Sequence, residues 1–428
     1  MRKGRLIEVF VVLIIVVFLA NTAFLCSCSR EPAGVTSKGK PDGKISVEES
    51  DEVADSIDGN LVSANTGFGF NIFKELILED NDQNIFISPM SILLALAMTY
   101  NGSVGDTNLA MAEALQFKGF DLEELNSGFH DLLLSIENAD SDIDLAITNS
   151  IWYRPGYEVK EDFIERNSKY FDSEVNEIDF AAPEAVDIIN SWIEEATRGK
   201  IDKMISEIPS DAVMYLINAI YFKGNWTYQF DEGLTSDDDF YLLDGTTKKV
   251  SMMSQQENFS YYKGDNFSVV RLPYGQKKMA MYIILPDEGT GVDSVIESLD
   301  ADSWNEIKDS FCSKEVSLTM PRYKMEYGIK LLNNTLAKLG MGIAFGSGAD
   351  FSGISGYPGM FISKVLHKAV IEVNEKGSEA AAATVVEMME SAMPIEEITE
   401  FIVNRPFFFV IADDRSGSII FMGKVVEP

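Results

Sequence analysis

Apolar residues recur at three- and four-residue intervals in the first half of the chain, the spacing of amphipathic helices. They form one face over residues 65–79, and a Ser-Pro pair opens a second run over residues 88–97. Because proline suits the first turn of a helix, the second helix is predicted to begin at this pair. A third helix is predicted over residues 187–197, with Gly199 as its stop.

The second half of the chain carries runs rich in β-branched and aromatic residues, which indicate buried strands. They lie at residues 213–222, 269–272, 279–285, 407–412 and 418–426. No internal repeat and no second linker divides the body. The predicted fold class is therefore α+β, a single domain over residues 63–428 that is helix-rich first and strand-rich afterwards.

The N-terminal residues 1–28 have the order of an export signal. A basic start precedes the apolar run 9–20, and small and polar residues follow up to Cys28. Residues 25–28 resemble a prokaryotic lipobox, and this resemblance implies that Cys28 is lipidated and anchors an exported protein on the outside of the cell envelope. A secreted protein with a cleaved signal, or an uncleaved anchor, is the alternative. Residues 29–62 lack periodicity and are predicted to be a disordered acidic tether.

The charge of the chain excludes several classes of partner. It has 35 Lys and Arg against 68 Asp and Glu, a formal net charge of −33. Nucleic-acid binding is not expected, and membrane contact is expected only through a lipid anchor. Three cysteines exclude a disulfide framework. With Cys28 lipidated, Cys312 is the remaining thiol of the body and is predicted to be a small buried side chain.

Motifs of catalysis and cofactor binding are missing from the sequence. Residues 67–69 lack the third glycine of a dinucleotide loop, and there is no GxSxG, GxxxxGK[ST] or HExxH. His130 is predicted at the surface and His367 as a hydrogen-bonded structural residue, a Ser-His-Asp triad through His367 being the alternative. Residues 237–239 are three aspartates, predicted as a solvated loop with calcium binding as the alternative. We therefore expect no cofactor, no metal and no enzymatic activity.

Residues 375–391 suit two different structures. Four consecutive alanines at 380–383 favour a surface helix. Every second residue from Ser378 to Met388 is small or apolar, however, whereas the other set holds Glu379 and Glu387, as in a half-buried strand. Such a segment can switch between a mobile loop and a central strand.

At this segment the sequence resembles the serpin family. Residues 375–384 look like the serpin hinge, and further serpin-like motifs stand at residues 84–92, 190–201, 216–226, 363–369, 404–407 and 421–425. The resemblance covers about residues 63–428. It implies the serpin fold, with helices packed around a large central mixed β-sheet, smaller sheets and an exposed reactive-centre loop.

The resemblance also implies three sets of site residues. The shutter, beneath the centre of the main sheet, is Ser88, Ser91, Asn218 and His367, and the breach, where the loop first enters, is marked by Trp226. The hinge of the loop consists of Glu375, Gly377, Ser378, Glu379, Ala380, Ala381, Ala382, Ala383 and Thr384.

The family spacing from the hinge glycine places the reactive bond between Ser391 and Ala392. Met389, Glu390 and Met393 are the alternatives, since the methionines are better apolar anchors for a protease pocket. Residues 377–404 contain no Lys or Arg, which argues against trypsin-like targets and favours elastase-, chymotrypsin- or subtilisin-like ones.

The function implied by the resemblance is irreversible suicide inhibition of serine proteases by a monomeric protein. The protease cleaves the loop, forms an acyl-enzyme, and is trapped when the freed loop inserts into the central sheet. The sequence leaves open whether a cysteine protease is also inhibited. The alternative is a non-inhibitory serpin that acts as a surface binding or carrier protein.

Overall fold

Helices form most of the first part of the chain, and strands most of the last. The computed structural model describes residues 44–201, 203–209, 211–378 and 398–428. Their α-helices are α1 (Val47–Ser56), α2 (Gly59–Glu79), α3 (Pro89–Tyr100), α4 (Gly105–Ala114), α5 (Leu122–Glu137), α6 (Glu161–Phe171), α7 (Ala185–Ala196), α8 (Val292–Ser298), α9 (Ala301–Asp309), α10 (Asn333–Lys338) and α11 (Ser352–Ser355). Two short 3-10 helices lie at Glu232–Leu234 and Met341–Phe345.

The strands of these residues confirm the predicted α+β class. They are β1 (Ile85–Ile87), β2 (Ile143–Tyr153), β3 (Glu174–Glu177), β4 (Met214–Asn225), β5 (Ser236–Tyr241), β6 (Thr247–Lys263), β7 (Phe267–Tyr274), β8 (Met279–Pro286), β9 (Cys312–Pro321), β10 (Tyr323–Glu326), β11 (Lys330–Leu331), β12 (Lys364–Asn374), β13 (Gly377–Ser378), β14 (Thr399–Ile402), β15 (Phe407–Asp413) and β16 (Ile419–Val425).

The three predicted helices form where the apolar periodicity placed them, as α2, α3 and α7. Ser88 is the N-cap of α3, and its side chain accepts a hydrogen bond from the backbone N–H of Ser91. This bond satisfies one of the amides that a helix start leaves free, and Pro89 occupies the first turn without losing a bond.

The strands build two sheets. A nine-stranded sheet has the order β1-β16-β15-β8-β7-β6-β9-β14, with β5 beside β6. A seven-stranded sheet, called the central sheet below, has the order β10-β12-β13-β4-β2-β3, with β11 beside β12. All residues of β8, β15 and β16 are buried, which explains why these strands are almost entirely apolar and do not alternate, Asp413 and Lys424 being the charged exceptions.

Helices cover both faces of the central sheet. On one face α3 packs against β2 and β4. On the other face Ile189 and Ile193 of α7 join Ile217 of β4 and Leu366 of β12 in a separate apolar cluster. Because side chains alternate along a strand, Asn218 and His367 point to the α3 side, away from this cluster.

Two local predictions were wrong. The aspartates 237–239 lie in β5, which pairs with β6, and not in a loop. Cys312 is exposed at the start of β9 instead of buried, with its Sγ 3.4 Å from the carbonyl oxygen of Tyr261. Within the described ranges no group of three or more His, Cys, Asp and Glu side chains is arranged to hold a metal ion. The helices of those ranges include none that is long and apolar enough to cross a membrane.

The predicted tether is partly wrong, because residues 44–62 are mainly helical. Ser46 and Glu49 form a reciprocal capping box at the start of α1, and Ser50 and Ala54 are buried. The sequence hid this helix because only two of its residues are buried, too few for a periodic apolar pattern. Residues 1–43, which include Cys28, lie outside the described residues.

Charged contacts connect α1 to the turns of the nine-stranded sheet. Asp51 accepts hydrogen bonds from Lys278 Nζ at 2.6 and 2.7 Å and from Arg415 Nη1 at 3.1 Å. The same Arg415 atom donates to Ser50 Oγ at 2.7 Å. Burial raises the pKa of Asp51, but the hydrogen bonds from the two cations outweigh it, so the pKa is lowered.

Asp51→Asn is therefore expected to lower the free energy of unfolding by about 1 kcal/mol, the upper end for a partly exposed ion pair. The measurement is the urea midpoint at neutral pH. Asp55→Asn, an exposed position on the same helix, is the matched control and should leave the midpoint unchanged. Equal midpoints for both variants would show that the ion pairs of Asp51 add nothing measurable to the free energy of unfolding.

Candidate functional site

The first residues of the predicted hinge lie inside the central sheet. The lower parts of β4 and β12 pair directly and in parallel, from Tyr215 opposite Lys364 to Ile220 opposite Ala369. Higher up the two strands part, and β13 lies between them. Ser378 is then opposite both Val373 and Gly224, and the β13 pairings are antiparallel. The sheet is thus closed at its centre and holds two hinge residues at its upper end.

The slot for β13 accepts only a glycine at position 377. A Cβ on Gly377 would lie 2.1 Å from the carbonyl oxygen of Gly224 and 2.7 Å from the Cα of Asn225. A Cβ on Gly224 would come within 3.0 Å of the rings of Phe222 and Tyr274. The missing side chains of the two glycines therefore let the backbones meet.

Ser378 is fully buried and bonded to a buried tyrosine. Its Oγ lies 2.8 Å from the hydroxyl oxygen of Tyr274. Burial raises the pKa of Tyr274 well above its usual value, so this hydroxyl stays neutral and is able to donate or accept. The contact satisfies two polar groups that would otherwise be buried without partners.

Trp226 connects the breach to the start of the hinge. Its ring stacks on Tyr274 with a centroid distance of 4.5 Å and an interplanar angle of 13°. Its Nε1 donates to the carbonyl of Asn374 at 2.9 Å, and its backbone N–H donates to the carbonyl of Lys376 at 2.8 Å. The tryptophan therefore holds the turn between β12 and β13 from two sides.

Glu375 lies in that turn and is buried. Its Oε1 accepts a hydrogen bond from Thr235 Oγ1 at 2.8 Å, and its carbonyl accepts one from the Phe230 N–H at 2.8 Å. The nearest cation is Arg322, with Nη1 3.8 Å from Glu375 Oε2. Side chain and backbone of Glu375 together fix the turn between β12 and β13.

The four shutter residues form one buried hydrogen-bond cluster beneath β4 and β12. Ser88 Oγ donates to the carbonyl of Ile420 at 2.7 Å. Asn218 Nδ2 donates to the carbonyl of Ser91 at 2.9 Å and also contacts Ser91 Oγ. Asn218 and His367 are register partners of the parallel pair, and His367 Nδ1 lies 2.7 Å from Asn218 Oδ1.

The partners of His367 fix its tautomer. The backbone N–H of Ser88 donates to Nε2 at 3.1 Å, so the neutral ring carries its proton on Nδ1 and donates it to Asn218. Burial lowers the pKa of His367 from 6.5 to about 3. The ring faces a backbone amide and a side-chain amide, not a carboxylate and a serine hydroxyl, so this geometry gives no triad.

Stability is expected to fall when the pH drops below about 6.5. His367 titrates near 6.5 when unfolded and near 3 when folded, so acid favours the unfolded chain. The contribution of His367 to the free energy of unfolding is complete above pH 6.5 and is lost as the pH falls toward 3. At pH 5 the loss is about 2 kcal/mol. Urea midpoints at pH 7.5 and pH 5.0 measure the loss.

His367→Gln should flatten this pH dependence, because the amide does not titrate. The chain has two histidines, and His130→Gln, at an exposed position, is the matched control that should keep the slope. An unchanged slope in His367→Gln would assign the pH dependence to carboxylates.

The rest of the predicted site lies outside the described residues. This applies to hinge residues 379–384 and to the candidates for the reactive bond, Met389, Glu390, Ser391, Ala392 and Met393.

Sequence reasoning missed three contributors to the site. Asn149 of β2 accepts a hydrogen bond from Asn218 Nδ2 at 2.7 Å. A polar amide side chain within a largely apolar strand is the sequence feature that could have indicated it. Tyr274 contacts Ser378, and Thr235 contacts Glu375. Each pair is separated by more than a hundred residues, so nothing local in the sequence marks these contacts.

Comparisons with known proteins agree with this geometry. Residues 63–428 match the family model described as serpin (serine protease inhibitor). The chain is 38% identical over 380 residues to the leukocyte elastase inhibitor of Bos taurus, covering 86% of this chain and 99% of the relative.

Solved structures share the fold at 30% identity or more. The native thermophilic serpin tengpin has a TM-score of 0.81 at 32% identity, over 87% of this chain and 95% of its own. Human thyroxine-binding globulin has a TM-score of 0.79 at 30% identity, over 86% and 98%. The chain therefore belongs to the serpins, a family of serine protease inhibitors.

Proposed function

We propose that this protein is an irreversible suicide inhibitor of serine proteases and is not itself a catalyst. The target cleaves the reactive loop, its serine becomes acylated, and insertion of the freed loop into the central sheet distorts the acyl-enzyme before hydrolysis. The chemical step is an acyl transfer. The scissile amide bond breaks, an ester to the protease serine forms, and the C-terminal fragment leaves with a new amino terminus. The driving energy is strand pairing and burial that the uncleaved chain withholds.

One observation carries the proposal, namely that β13 already occupies the insertion slot. Counting six residues forward from Ser378 reaches Thr384, and six back from Val373 and from Gly224 reaches His367 and Asn218. Continued pairing would therefore bring Thr384 between the two shutter partners. Its hydroxyl can donate and accept, which is what the parted amide and imidazole would require.

The same register sets the length of the inserted strand. Because β12 begins at Lys364 and β4 at Met214, its partners run out opposite residues 387 and 388. Glu387 would face the level of Lys364, and Glu390 would lie beyond the last pair. The charge of Glu390 at an inward position is thus no obstacle to insertion.

The proposed targets are elastase-, chymotrypsin- or subtilisin-like proteases, held in a covalent complex by a monomeric inhibitor. Support comes from the loop, which contains no Lys or Arg from residue 377 to residue 404. The bovine relative is an inhibitor of leukocyte elastase by name. The reactive bond is proposed between Ser391 and Ala392.

The test mixes the chain with elastase-, chymotrypsin-, subtilisin- and trypsin-like proteases. We expect an SDS-stable complex with at least one of the first three, and a released C-terminal peptide whose mass begins at Ala392. A peptide beginning after Met389, Glu390 or Met393 would move the bond but keep the mechanism. Cleavage without a complex and without a gain in heat stability would overturn the inhibitor proposal.

That negative outcome would favour the second candidate, a non-inhibitory binding or carrier protein. The observation in its favour is the likeness to human thyroxine-binding globulin, whose name describes a binding protein. The small residues of the hinge and the glycine slot favour insertion instead.

We also propose that the chain is exported and anchored on the outside of the cell envelope through lipidated Cys28. Support is the order of charge and apolar residues before Cys28. The test is metabolic labelling with a radioactive fatty acid. Cys28→Ser should abolish the label and Cys26→Ser should retain it, whereas label in neither wild type nor control would indicate a secreted protein.

A further inference from the structure

A cleft between β6, β10 and β12 has an unusual composition for so acidic a chain. Its volume is about 420 Å³, and four of its nine lining residues are cationic, namely Lys248, Lys249, Arg322 and Lys324. Only 35 of the 428 residues of the chain are Lys or Arg. Glu372 is the one acidic side chain of the lining.

Two cations of this cleft, Arg322 and Lys324, have unused hydrogen-bonding capacity. Within the described ranges Lys324 is exposed and has no ion-pair partner. The Arg322 side chain approaches Glu375 only to 3.8 Å, which is longer than a hydrogen bond. Lys248 Nζ already donates to Glu427 and to the backbone oxygen of Pro428, both at 2.9 Å. Lys249 Nζ lies 3.2 Å from Asp239 and 3.9 Å from Asp238. These two lysines therefore contribute charge to the cleft, and the free donors are those of Arg322 and Lys324.

The backbone holds these side chains in place. The N–H of Arg322 donates to the carbonyl of Ser251 at 2.9 Å, which joins the cleft wall of β6 to the start of β10. Lys324 stands opposite Glu372 in the register of β10 with β12. The cations therefore converge from two sheets on one recess and do not lie along a flexible segment.

We propose that this cleft is a binding site for a small polyvalent oxyanion, with Arg322 and Lys324 as its principal ligands. Guanidinium groups bind phosphate-type oxygens in a bidentate manner, and the lysines add point charges around them. The volume of about 420 Å³ has room for a molecule with two adjacent oxyanion groups, which could engage Arg322 and Lys324 together. The site does not depend on the proposed inhibition of proteases.

Binding of an anion in the cleft would change the surroundings of Glu375, the first residue of the predicted hinge. Arg322 is the cation nearest to buried Glu375, at 3.8 Å. An anion that engages Arg322 competes with Glu375 for it, while Glu375 keeps its bond from Thr235. The cleft thus adjoins the turn between β12 and β13.

Calorimetric titration of the full-length chain with inorganic pyrophosphate, at constant ionic strength, tests the proposal. We expect saturable binding of one pyrophosphate per chain, with orthophosphate weaker by about tenfold because it carries one group instead of two. Arg322→Ala with Lys324→Ala should weaken pyrophosphate binding by at least about tenfold. Lys324→Glu alone should also weaken pyrophosphate binding. Because Lys324 is exposed and has no ion-pair partner among the described residues, this variant should fold normally and keeps the test valid if the double variant misfolds.

The matched control is Lys263→Ala, which removes an exposed lysine paired with Asp287 outside the cleft lining. It should bind pyrophosphate as the wild type does. Absence of saturable binding, or equal affinity in the control and the cleft variants, would overturn the site. No protease is present in this test, so its failure is distinguishable from failure of the proposed function.

Discussion

Gly377→Val is expected to abolish most covalent complex formation while leaving cleavage of the loop intact. The new Cβ would lie 2.1 Å from the carbonyl oxygen of Gly224, on a backbone that cannot yield. An intrusion of this size costs about 3 kcal/mol. Because Gly377 is already seated in the uncleaved protein, we expect valine to displace β13 from its slot there. After cleavage the loop must then enter past the same clash, which slows insertion about 100-fold. Hydrolysis of the acyl-enzyme is then faster than loop insertion, so the protease releases the cleaved chain as it would a substrate.

The measurement is the number of inhibitor molecules consumed per protease molecule trapped, read from SDS gels. Lys376→Ala is the matched control, because its half-exposed side chain has Glu232, at 3.6 Å, as its one ion-pair partner among the described residues, and its backbone bond to Trp226 remains. It should inhibit as the wild type does. Undiminished complex formation by Gly377→Val would show that β13 is not where insertion begins.

Asn218→Ala should lower the free energy of unfolding of the uncleaved protein by about 3 kcal/mol. The substitution leaves the Nδ1 proton of His367, the carbonyl of Ser91 and the Asn149 side chain without their shared partner in a buried place. A cluster of this kind loses more than one bond at a time. The urea midpoint and the melting temperature measure the loss.

Asn225→Ala provides the control on the same strand. Its Oδ1 is buried without a hydrogen-bond partner, so its removal deletes an unsatisfied group. Its stability should stay level or rise slightly. Equal losses in the two variants would mean that the cost comes from vacated volume in β4 and not from the hydrogen bonds of Asn218.

The sequence predicted the elements whose signals are local. Apolar periodicity identified α2, α3 and α7, and β-branched runs identified β4, β8 and β15, because burial of whole faces leaves a repeating pattern. Residues 44–62 escaped because α1 is stabilised by its capping box and by ion pairs. Cys312 was misjudged because its exposure depends on which edge of a sheet a strand end occupies.

The site was predictable only as far as the family resemblance reached. It indicated Ser88, Ser91, Asn218 and His367, which the structure brings together from α3, β4 and β12. The bond of Ser378 to Tyr274 joins residues 104 positions apart, and no spacing rule leads from one to the other. The same applies to the cations of the cleft, which stand on β6 and β10 and meet only when the two sheets come together.

The two residues of β13 change the kinetic character of the proposed insertion. A strand that enters an empty gap must first form a nucleus, and closing that first contact costs chain entropy before any ladder bond repays it. Here Gly377 and Ser378 are already paired on both sides, so the uncleaved protein contains the nucleus. After cleavage the strand only has to lengthen, one residue pair after another, from the two residues that are already paired. The trap should therefore close without a lag phase.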